Sequence, residues 1–435
     1  MRTWRDFGFL ETLGVGNVKL RRVLALALAL VLLFQFGTYL TTLPRNRLID
    51  LYVRYIAARV LADGGDIYSP ADLKEMADGD QSVRYGTAFS DNLFLSYTHP
   101  PSDSFLDLRL AIFPYVTLKP LYVILTAILY AASLVLIWLA LKRASAHPLH
   151  WIFPLALFVY FGPTRVSMGL GQSDVLQFFL MTFVFYLFTE NHDLWTGIAL
   201  GIAILIKTVP VLLLLYLVLK RRWRALFWTI ATAAVLMGIT FAIRPDLWIK
   251  WVTQIFPVLS TGTAYAENQS LVGMIDRLML DESYWGLSPA PSLLSLRLVV
   301  LGAQLALVGL VSYFSRALFS TYRSLQVALE YSTWIVAMIL FSPIAWTHYF
   351  TWLLLPMTVL LAAILNSAFP LFVKLSSLAA LAVAFWLVGI PTTTFSAWPI
   401  WLRSPFLFSA GILLIVLWVY LRDYKQAHTA PARPV

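Results

Sequence analysis

The sequence predicts an all-α protein, a polytopic bundle of transmembrane helices, and two observations lead there. Of its 435 residues, 60% are hydrophobic and only 12% are charged, whereas soluble domains carry about 25% charged residues. Apolar runs of roughly 20 residues, the length that crosses a bilayer, recur from one end of the chain to the other. These runs are continuous rather than alternating, which indicates helices and not the strands of a barrel.

The runs divide the chain into about 12 predicted spanning helices within one domain, residues 1–435. The first follows a short N-terminal segment and is expected to be retained. The least regular stretch, 195–219, is split in two because Pro210 interrupts a helix and Lys207 lies in the middle of the apolar run. The predicted spans are 23–43, 121–141, 149–163, 174–189, 195–206, 209–219, 225–243, 297–315, 328–343, 349–365, 371–390 and 404–421.

Charge sets the predicted orientation. With this division, short basic clusters fall on one side of the membrane, which by the positive-inside rule is the cytoplasmic side and contains both termini. The net charge of +10 then indicates contact with anionic membrane lipids. Nucleic acid is excluded as a partner because no basic tract is interleaved with aromatic residues. The clusters are Arg21-Arg22, Lys142-Arg143, Lys220 to Arg224, Arg316 with Arg323, and Arg422 with Lys425.

Two long loops, 44–120 and 244–296, are predicted on the outer side. Within the second, Trp248, Trp251, Val252 and Phe256 repeat at helical spacing, which is typical of an amphipathic helix lying in the membrane interface. Residues 50–61 show a weaker form of the same pattern. Two interfacial helices on the outer face predict the floor of a cavity there. The tail, 426–435, is predicted to be disordered.

Asp50 is the first candidate catalytic residue, because it follows the first span within a few residues. A carboxylate at the edge of the bilayer can serve as a general base for a hydroxyl acceptor. Partial burial and Arg54, one turn further on, would tune it for that task. The alternative is a structural N-cap, since Asp is favoured at helix N-termini. Position alone leaves both interpretations open.

Three further candidates are basic or imidazole groups at predicted helix ends. Lys207 interrupts an apolar run, which indicates an anion site, unless its side chain snorkels to the interface. His348 is flanked by Trp346 and Tyr349 and could bind a phosphate or a sugar hydroxyl, or simply belong to the aromatic belt. His99 precedes two prolines that fix an extended turn, and its role is open.

The remaining candidates lie in predicted outer loops. Arg165 and Gln172 belong to a glycine-containing stretch, 162–174, that is expected to be a short loop facing a cavity, although Asp174 could instead pair with Lys207. Asn268 opens an Asn-Gln-Ser sequence that fits either a glycosylation sequon or a substrate contact. Glycine-rich phosphate loops and paired histidines are absent from the sequence, so no cofactor and no protein-held metal are predicted. The lack of cysteine removes thiolate chemistry.

Short motifs follow one another in a fixed order between residues 23 and 390. They are Asp50, Tyr55-Ile-Ala-Ala-Arg59, Gly65-Asp-Ile-Tyr68, His99-Pro-Pro101, Gly171-Gln172, Lys207-Thr-Val-Pro210, Lys220-Arg-Arg-Trp-Arg224, Glu267-Asn-Gln-Ser270 and Ser342-Pro-Ile-Ala-Trp-Thr-His348. The series resembles glycosyltransferase family 87, membrane enzymes of GT-C type that include actinobacterial mannosyltransferases.

This resemblance implies a polyprenyl-phosphate sugar donor, most often mannose, and a glycolipid or glycan acceptor on the outer face. It implies that the acidic residue of the first outer loop, here Asp50, is the base, and that the late histidine, His348, contacts the donor. Two positions depart from the family. His99 stands where an aromatic residue usually precedes the two prolines, and Ser173-Asp174 follows Gly-Gln where an amide or a small apolar residue is common.

Together these inferences predict inverting, single-displacement transfer of a hexose by a monomer in the plasma membrane. The expected donor-phosphate and sugar contacts are Lys207, His348, Arg165 and Gln172. The expected acceptor or loop contacts are His99, Tyr55, Asn268 and Arg54. Two alternatives remain: a ligase or polymerase that uses a lipid diphosphate, which usually has its largest outer loop late in the chain, and a lipid-linked-sugar flippase, which predicts internal repeats.

Overall fold

The computed structural model describes residues 18–46, 48–79, 97–142, 152–284, 294–316 and 324–429. Every regular element within these ranges is helical, and the only β-type pairing there is one isolated bridge, Asn268 with Trp346. The all-α prediction is therefore confirmed. The α-helices are α1 Val18–Thr42, α2 Ile49–Ala62, α3 Pro70–Gly79, α4 Pro101–Asp107, α5 Tyr115–Leu141, α6 Ile152–Tyr160, α7 Gly162–Leu170, α8 Asp174–Thr189, α9 Asp193–Ile206, α10 Leu213–Leu219, α11 Trp223–Ile243, α12 Pro245–Lys250, α13 Phe256–Thr261, α14 Leu271–Met279, α15 Leu294–Ser315, α16 Ser324–Phe341, α17 Leu354–Asn366, α18 Leu371–Leu387 and α19 Pro405–Thr429.

Six helical segments among the described residues are long and apolar enough to cross a membrane. Five more are apolar but shorter, and α6 has only nine residues. The polytopic character agrees with the sequence, whereas the count of 12 spans stays a prediction. The six segments are Ala25–Arg45, Tyr115–Leu141, Trp223–Ile243, Ser295–Ser315, Thr347–Asn366 and Pro405–Lys425.

The closest helix packing joins α9 to α11. A Cβ atom at Gly197 would lie 2.4 Å from the carbonyl oxygen of Ala225, and one at Gly201 would lie 2.8 Å from that of Thr229. The two backbones approach this closely because glycine has no side chain, the small-residue packing that membrane helices favour. This contact holds α9, which ends just before Lys207, against α11.

Two groups of buried charged contacts mark the two ends of the bundle. At one end, Lys220 and Lys425 both contact Glu330, a fully buried carboxylate, and the described basic residues Lys142, Arg224 and Arg316 lie at helix termini of this same end. At the other end lie α2, α4, α7 and the start of α8. Described parts of the two connections predicted as outer loops meet at this second end, where Arg244 donates to the carbonyl of Gly65 and Trp251 to that of Thr98.

The predicted break in 195–219 is confirmed. Helix α9 ends at Ile206, Lys207 has extended backbone angles (φ −140°, ψ 128°), and a short 3₁₀ helix, Val209–Leu212, leads into α10. Pro210 lies in that 3₁₀ turn, where its missing N–H interrupts no α-helical hydrogen bond.

Four predicted elements need correction. Residues 149–163 are not one helix, since α6 ends at Tyr160, and the expected loop 162–174 contains helix α7, with Pro163 in its first turn and Gly171 at its C-cap. Helix α2 is not interfacial, because α3, α4 and a 3₁₀ turn (Leu108–Ile112) bury almost all of it. The tail is helical up to Thr429; its remaining residues, 430–435, lie outside the described ranges.

The four residues that repeat at helical spacing in the second outer loop do not share one face. Trp248 and Trp251 are buried, whereas Val252 and Phe256 are exposed. A π-helical turn, Trp251–Ile255, separates α12 from α13; the extra residue per turn rotates the later positions away from the first two. Indole N–H groups anchor the inward face: Trp248 donates to the Thr240 hydroxyl and Trp251 to the carbonyl of Thr98.

Candidate active site

Asp50 lies in the first turn of α2, at the end of the bundle opposite to Glu330. The N-cap of this helix is Leu48, and no side chain caps it, so Asp50 is not the structural cap. Its Oδ2 instead accepts a hydrogen bond from Gln172 Nε2 at 2.9 Å. Leu48 has a left-handed backbone (φ 46°, ψ 58°), which costs a residue with a Cβ about 1–2 kcal/mol. Such strain tends to occur at functional sites.

Gln172 reaches Asp50 because the chain turns sharply after α7. Gly171 has a φ of +77°, and a Cβ there would lie 2.5 Å from the Cβ of Leu51. Only glycine satisfies both conditions. The hydroxyl of Tyr122 donates to the carbonyl of Gln172 at 2.8 Å and holds the turn against α5.

Asp174, two residues further on, is the centre of a buried charged cluster. Its Oδ1 lies 2.8 Å from Nζ of Lys207 and its Oδ2 lies 2.6 Å from Nδ1 of His348. The predicted pairing of Asp174 with Lys207 is therefore confirmed. The sequence did not place Asp174 among the site residues. Its position two residues after Gln172, at the start of an apolar helix, was the signal that could have placed it there.

Lys207 is buried, so its side chain does not snorkel to an interface. Its Nζ also lies 3.9 Å from the ring centroid of Tyr349, a cation–π contact of the kind that is strong when water is excluded. The carboxylate of Asp174 and the ring of Tyr349 hold the ammonium group in one place. Lys207 is thus a fixed ammonium group at the C-terminal end of α9.

His348 is presented by a 3₁₀ helix, Thr347–Leu353. Its Nδ1 is engaged by Asp174, which leaves Nε2 without a protein partner in the part of the chain that the structure describes.

Asn268 fixes the loop that precedes His348. Its side chain accepts from Ala345 N at 2.9 Å and donates to Thr263 O at 2.8 Å. A buried, fully used amide makes Asn268 a loop contact rather than an accessible glycosylation site.

Two further pairs of charged side chains join α4 to its neighbours: His99 with Asp103, and Arg54 with Asp107. Nδ1 of His99 lies 2.8 Å from Oδ2 of Asp103 on α4. Arg54 donates two hydrogen bonds to the carboxylate of Asp107, one from Nε at 2.8 Å and one from Nη2 at 2.6 Å. Arg54 therefore faces Asp107 and not Asp50, which corrects the expected tuning of Asp50 by Arg54.

The electrostatic setting of Asp50 raises the pKa of its carboxyl above the usual range. Burial is the main cause, and the charges of His348, His99 and Lys207, with the hydrogen bond from Gln172, offset it only in part. A carboxylate with a raised pKa is a stronger base than one in water. Its sensitivity to these three groups shows that Asp50 shares their electrostatic environment.

A cavity of about 280 Å³ opens beside Lys207. Its wall is mostly apolar, and its ionisable groups are Lys207, His99 and the phenol of Tyr349. Such a cavity suits a ligand with a long apolar chain and an anionic group at one end. The lining residues are Thr98, His99, Pro100, Ile206, Lys207, Thr208, Val209, Val211, Leu212, Trp251, Phe256, Leu259, Ser260, Met338, Phe341, Ser342, Pro343, Ile344, Trp346 and Tyr349.

The structure thus brings together Asp50, Gln172, Lys207, His348 and His99, and separates two other candidates from them. Arg165 is exposed, with its guanidinium 4.4 Å from the ring centroid of Tyr39. Tyr55 is buried against the rings of Tyr52 and Tyr115. The expected roles of Arg165 and Tyr55 in substrate binding stay predictions.

Fold and site define a multi-pass helical membrane protein with a buried charged cluster, of which Lys207 lines an apolar cavity. The model of glycosyltransferase family 87 matches residues 97–343. The chain belongs to this family, as the motif series predicted. The matched range contains His99, Gln172, Asp174 and Lys207; Asp50 precedes it, and His348 follows it by five positions.

Two curated relatives have the same name, polyprenol-phosphate-mannose-dependent alpha-(1-2)-phosphatidylinositol mannoside mannosyltransferase. The protein of Mycolicibacterium smegmatis is 28% identical over 288 residues, which are 63% of this chain and 61% of the relative. That of Mycobacterium tuberculosis is 26% identical over 323 residues, 70% of this chain and 68% of the relative. The chain thus spans about three fifths of the first relative's length.

Proposed function

We propose that this protein is an integral membrane mannosyltransferase that takes mannose from a polyprenyl-phosphate donor and transfers it to a hydroxyl of a glycolipid or glycan. The family and the names of the two relatives support the donor class. The apolar cavity with Lys207 at its head supports it independently, because a polyprenyl phosphate has an apolar chain and one anionic group. Mannosylated phosphatidylinositol is the first acceptor to test.

The observation that carries the proposal is the placement of Asp50 beside the Asp174–Lys207–His348 cluster. In the proposed reaction the acceptor oxygen attacks the anomeric carbon, and the bond from that carbon to the phosphate oxygen breaks. The electron pair of the broken bond stays on the phosphate. Asp50 receives the proton of the acceptor hydroxyl, and the single displacement inverts the anomeric centre.

Lys207 is the proposed ligand of the leaving phosphate, since it lines the cavity and is already fixed by Asp174 and Tyr349. Preorganised charge stabilises a developing anion without reorganising at the moment of reaction. His348 would present its free Nε2 to the sugar or the phosphate, and Gln172 would hold Asp50 in position. Arg165, expected to share this work, is placed at the exposed surface and is a weaker candidate.

The proposed orientation puts the site outside the cytoplasm and both termini inside. It rests on the separation of the two bundle ends: the described basic clusters Lys142, Lys220 to Arg224 and Arg316 lie opposite to Asp50. Short basic loops favour the cytoplasmic side. A lipid-linked sugar presented on the outer leaflet of the plasma membrane would then meet the cavity.

A donor panel tests the proposal. The full chain would be reconstituted in liposomes with acceptor lipid extract and given polyprenyl-phosphate mannose, polyprenyl-phosphate glucose or a polyprenyl-diphosphate sugar, each labelled in the sugar. We expect transfer from the monophosphate mannose donor. Transfer only from the diphosphate donor would indicate a ligase or polymerase, and movement of the donor across the bilayer without transfer would indicate a flippase; either result would contradict the proposal.

A further inference from the structure

His99 has a rigidly fixed backbone at the wall of the apolar cavity. The hydroxyl of Tyr68 donates to its carbonyl oxygen at 2.7 Å, and the indole of Trp251 donates to the carbonyl of Thr98 at 3.2 Å. Pro100 follows in an extended conformation (φ −60°, ψ 153°) as the N-cap of α4. Two hydrogen bonds and a proline therefore hold three consecutive residues in one conformation.

The side chain of His99 lies against a carboxylate. Its Nδ1 is 2.8 Å from Oδ2 of Asp103, which is buried at 1% exposure. A carboxylate beside one ring nitrogen favours one orientation of the imidazole. Nε2 has no protein partner within the described ranges, and the ring lines the same cavity as Lys207.

A second hydrogen-bond donor at this wall would assist Lys207 in the proposed step. Lys207 and His348 share one carboxylate, Asp174, and His99 lies beside another, Asp103. The donor phosphate is a diester with one negative charge. When the bond to the anomeric carbon breaks, it becomes a monoester with a second negative charge. A hydrogen-bond donor that binds the product more tightly than the donor lipid lowers the barrier.

We propose that His99 is a second ligand of the donor phosphate, donating an Nε2–H hydrogen bond to a phosphate oxygen while Asp103 orients the ring. This inference rests on the proposed function and deepens it. His99 gives up no proton in the step; the acceptor proton goes to Asp50 and the electron pair to the phosphate.

The test is the affinity for polyprenyl phosphate, the product that carries the full charge. Calorimetric binding to the purified full chain in detergent would be compared between wild type and His99→Gln. Hydrogen bonds to charged groups contribute enough that their loss weakens binding about 10- to 100-fold. In the transfer assay, His99→Gln should raise the inhibition constant of polyprenyl phosphate by a similar factor and leave the KM of the acceptor unchanged. Asp103→Asn should act in the same direction.

His192→Gln is the matched control, because His192 is exposed at the opposite end of the bundle, before α9. His99→Phe, which keeps an aromatic ring but cannot donate a hydrogen bond, is the second variant if the glutamine variant does not fold. Wild-type affinity for polyprenyl phosphate in a folded His99 variant would overturn this inference alone. Wild-type binding of polyprenyl phosphate without any mannose transfer would instead contradict the proposed function, and the binding comparison would still test His99.

Discussion

At the residue scale, burial changes the chemistry of a few carboxyl groups. Asp50 is partly buried and accepts one hydrogen bond, whereas Asp174 is fully buried and engages two basic groups. The first is available as a base, and the second is fully occupied in holding Lys207 and His348. Two aspartates at one end of the bundle thus have different proposed tasks because their surroundings differ.

The raised pKa of Asp50 predicts how the transfer activity declines at low pH. A base works only when it is deprotonated, so activity should fall as the pH falls through the pKa of Asp50. Because burial is the main cause of the increase, this decline should begin at higher pH than for an exposed aspartate. The kcat/KM of mannose transfer, measured across the acid range, checks this prediction. A decline only at the pKa of an ordinary aspartate would contradict it.

Asp174→Asn should both destabilise the protein and reduce transfer. Removing one member of a buried ion pair leaves an unpaired buried charge, here on Lys207, and typically costs about 3–5 kcal/mol. Thermal unfolding in detergent and the transfer assay would measure the two effects. The control is Asp246→Asn, since Asp246 pairs with Arg244 at an exposed position, where such pairs contribute about 0–1 kcal/mol. Equal stability of the two variants would contradict the proposed role of Asp174.

At the scale of elements, the α7–α8 turn determines whether Gln172 reaches Asp50. Gly171→Ala should lower transfer and destabilise the protein, because the new methyl group would meet Leu51 and the backbone would be strained at its positive φ. Costs of about 1–3 kcal/mol are typical of such strain. Gly169→Ala is the matched control, with open space around its Cβ in the same helix. If both variants keep wild-type activity, the turn is not required.

The sequence predicted the main helices and the break at Lys207, because apolar runs and a proline are local signals. Helix α7 was not predicted, because its nine residues are too polar to resemble a membrane span and its glycines indicated a loop. The sequence also predicted α2 to be a surface helix, since its burial comes from α3, α4 and a 3₁₀ turn that lie up to 60 residues away along the chain. Such long-range packing leaves no periodic trace in the sequence.

The site could be predicted only residue by residue. Asp50, Lys207 and His348 were each signalled by a charged or imidazole group at an apolar helix end, and the structure brings them together. The network between them was not predictable in full. Arg54 pairs with Asp107, 53 positions away, and Arg165 points away from the cluster, because the loop that would have carried it inward is a helix.

At the scale of the whole molecule, the short basic clusters opposite to Asp50 predict the orientation in the membrane. The chain contains no cysteine, so single cysteines can be introduced without background. Glu75→Cys, exposed on α3, should react with an impermeant thiol reagent added outside intact cells, whereas Arg224→Cys, exposed at the basic end, should react only after permeabilisation. The reverse pattern would place the candidate site in the cytoplasm.

Asp50→Asn tests whether the carboxylate at the start of α2 removes the acceptor proton. General-base assistance typically contributes about 10²–10⁴-fold, so kcat of mannose transfer should fall by that factor while binding of polyprenyl phosphate is retained. Asp63→Asn, at the exposed end of the same helix, should keep wild-type turnover. Near-wild-type turnover of a folded Asp50→Asn variant with the polyprenyl-phosphate mannose donor would contradict the account.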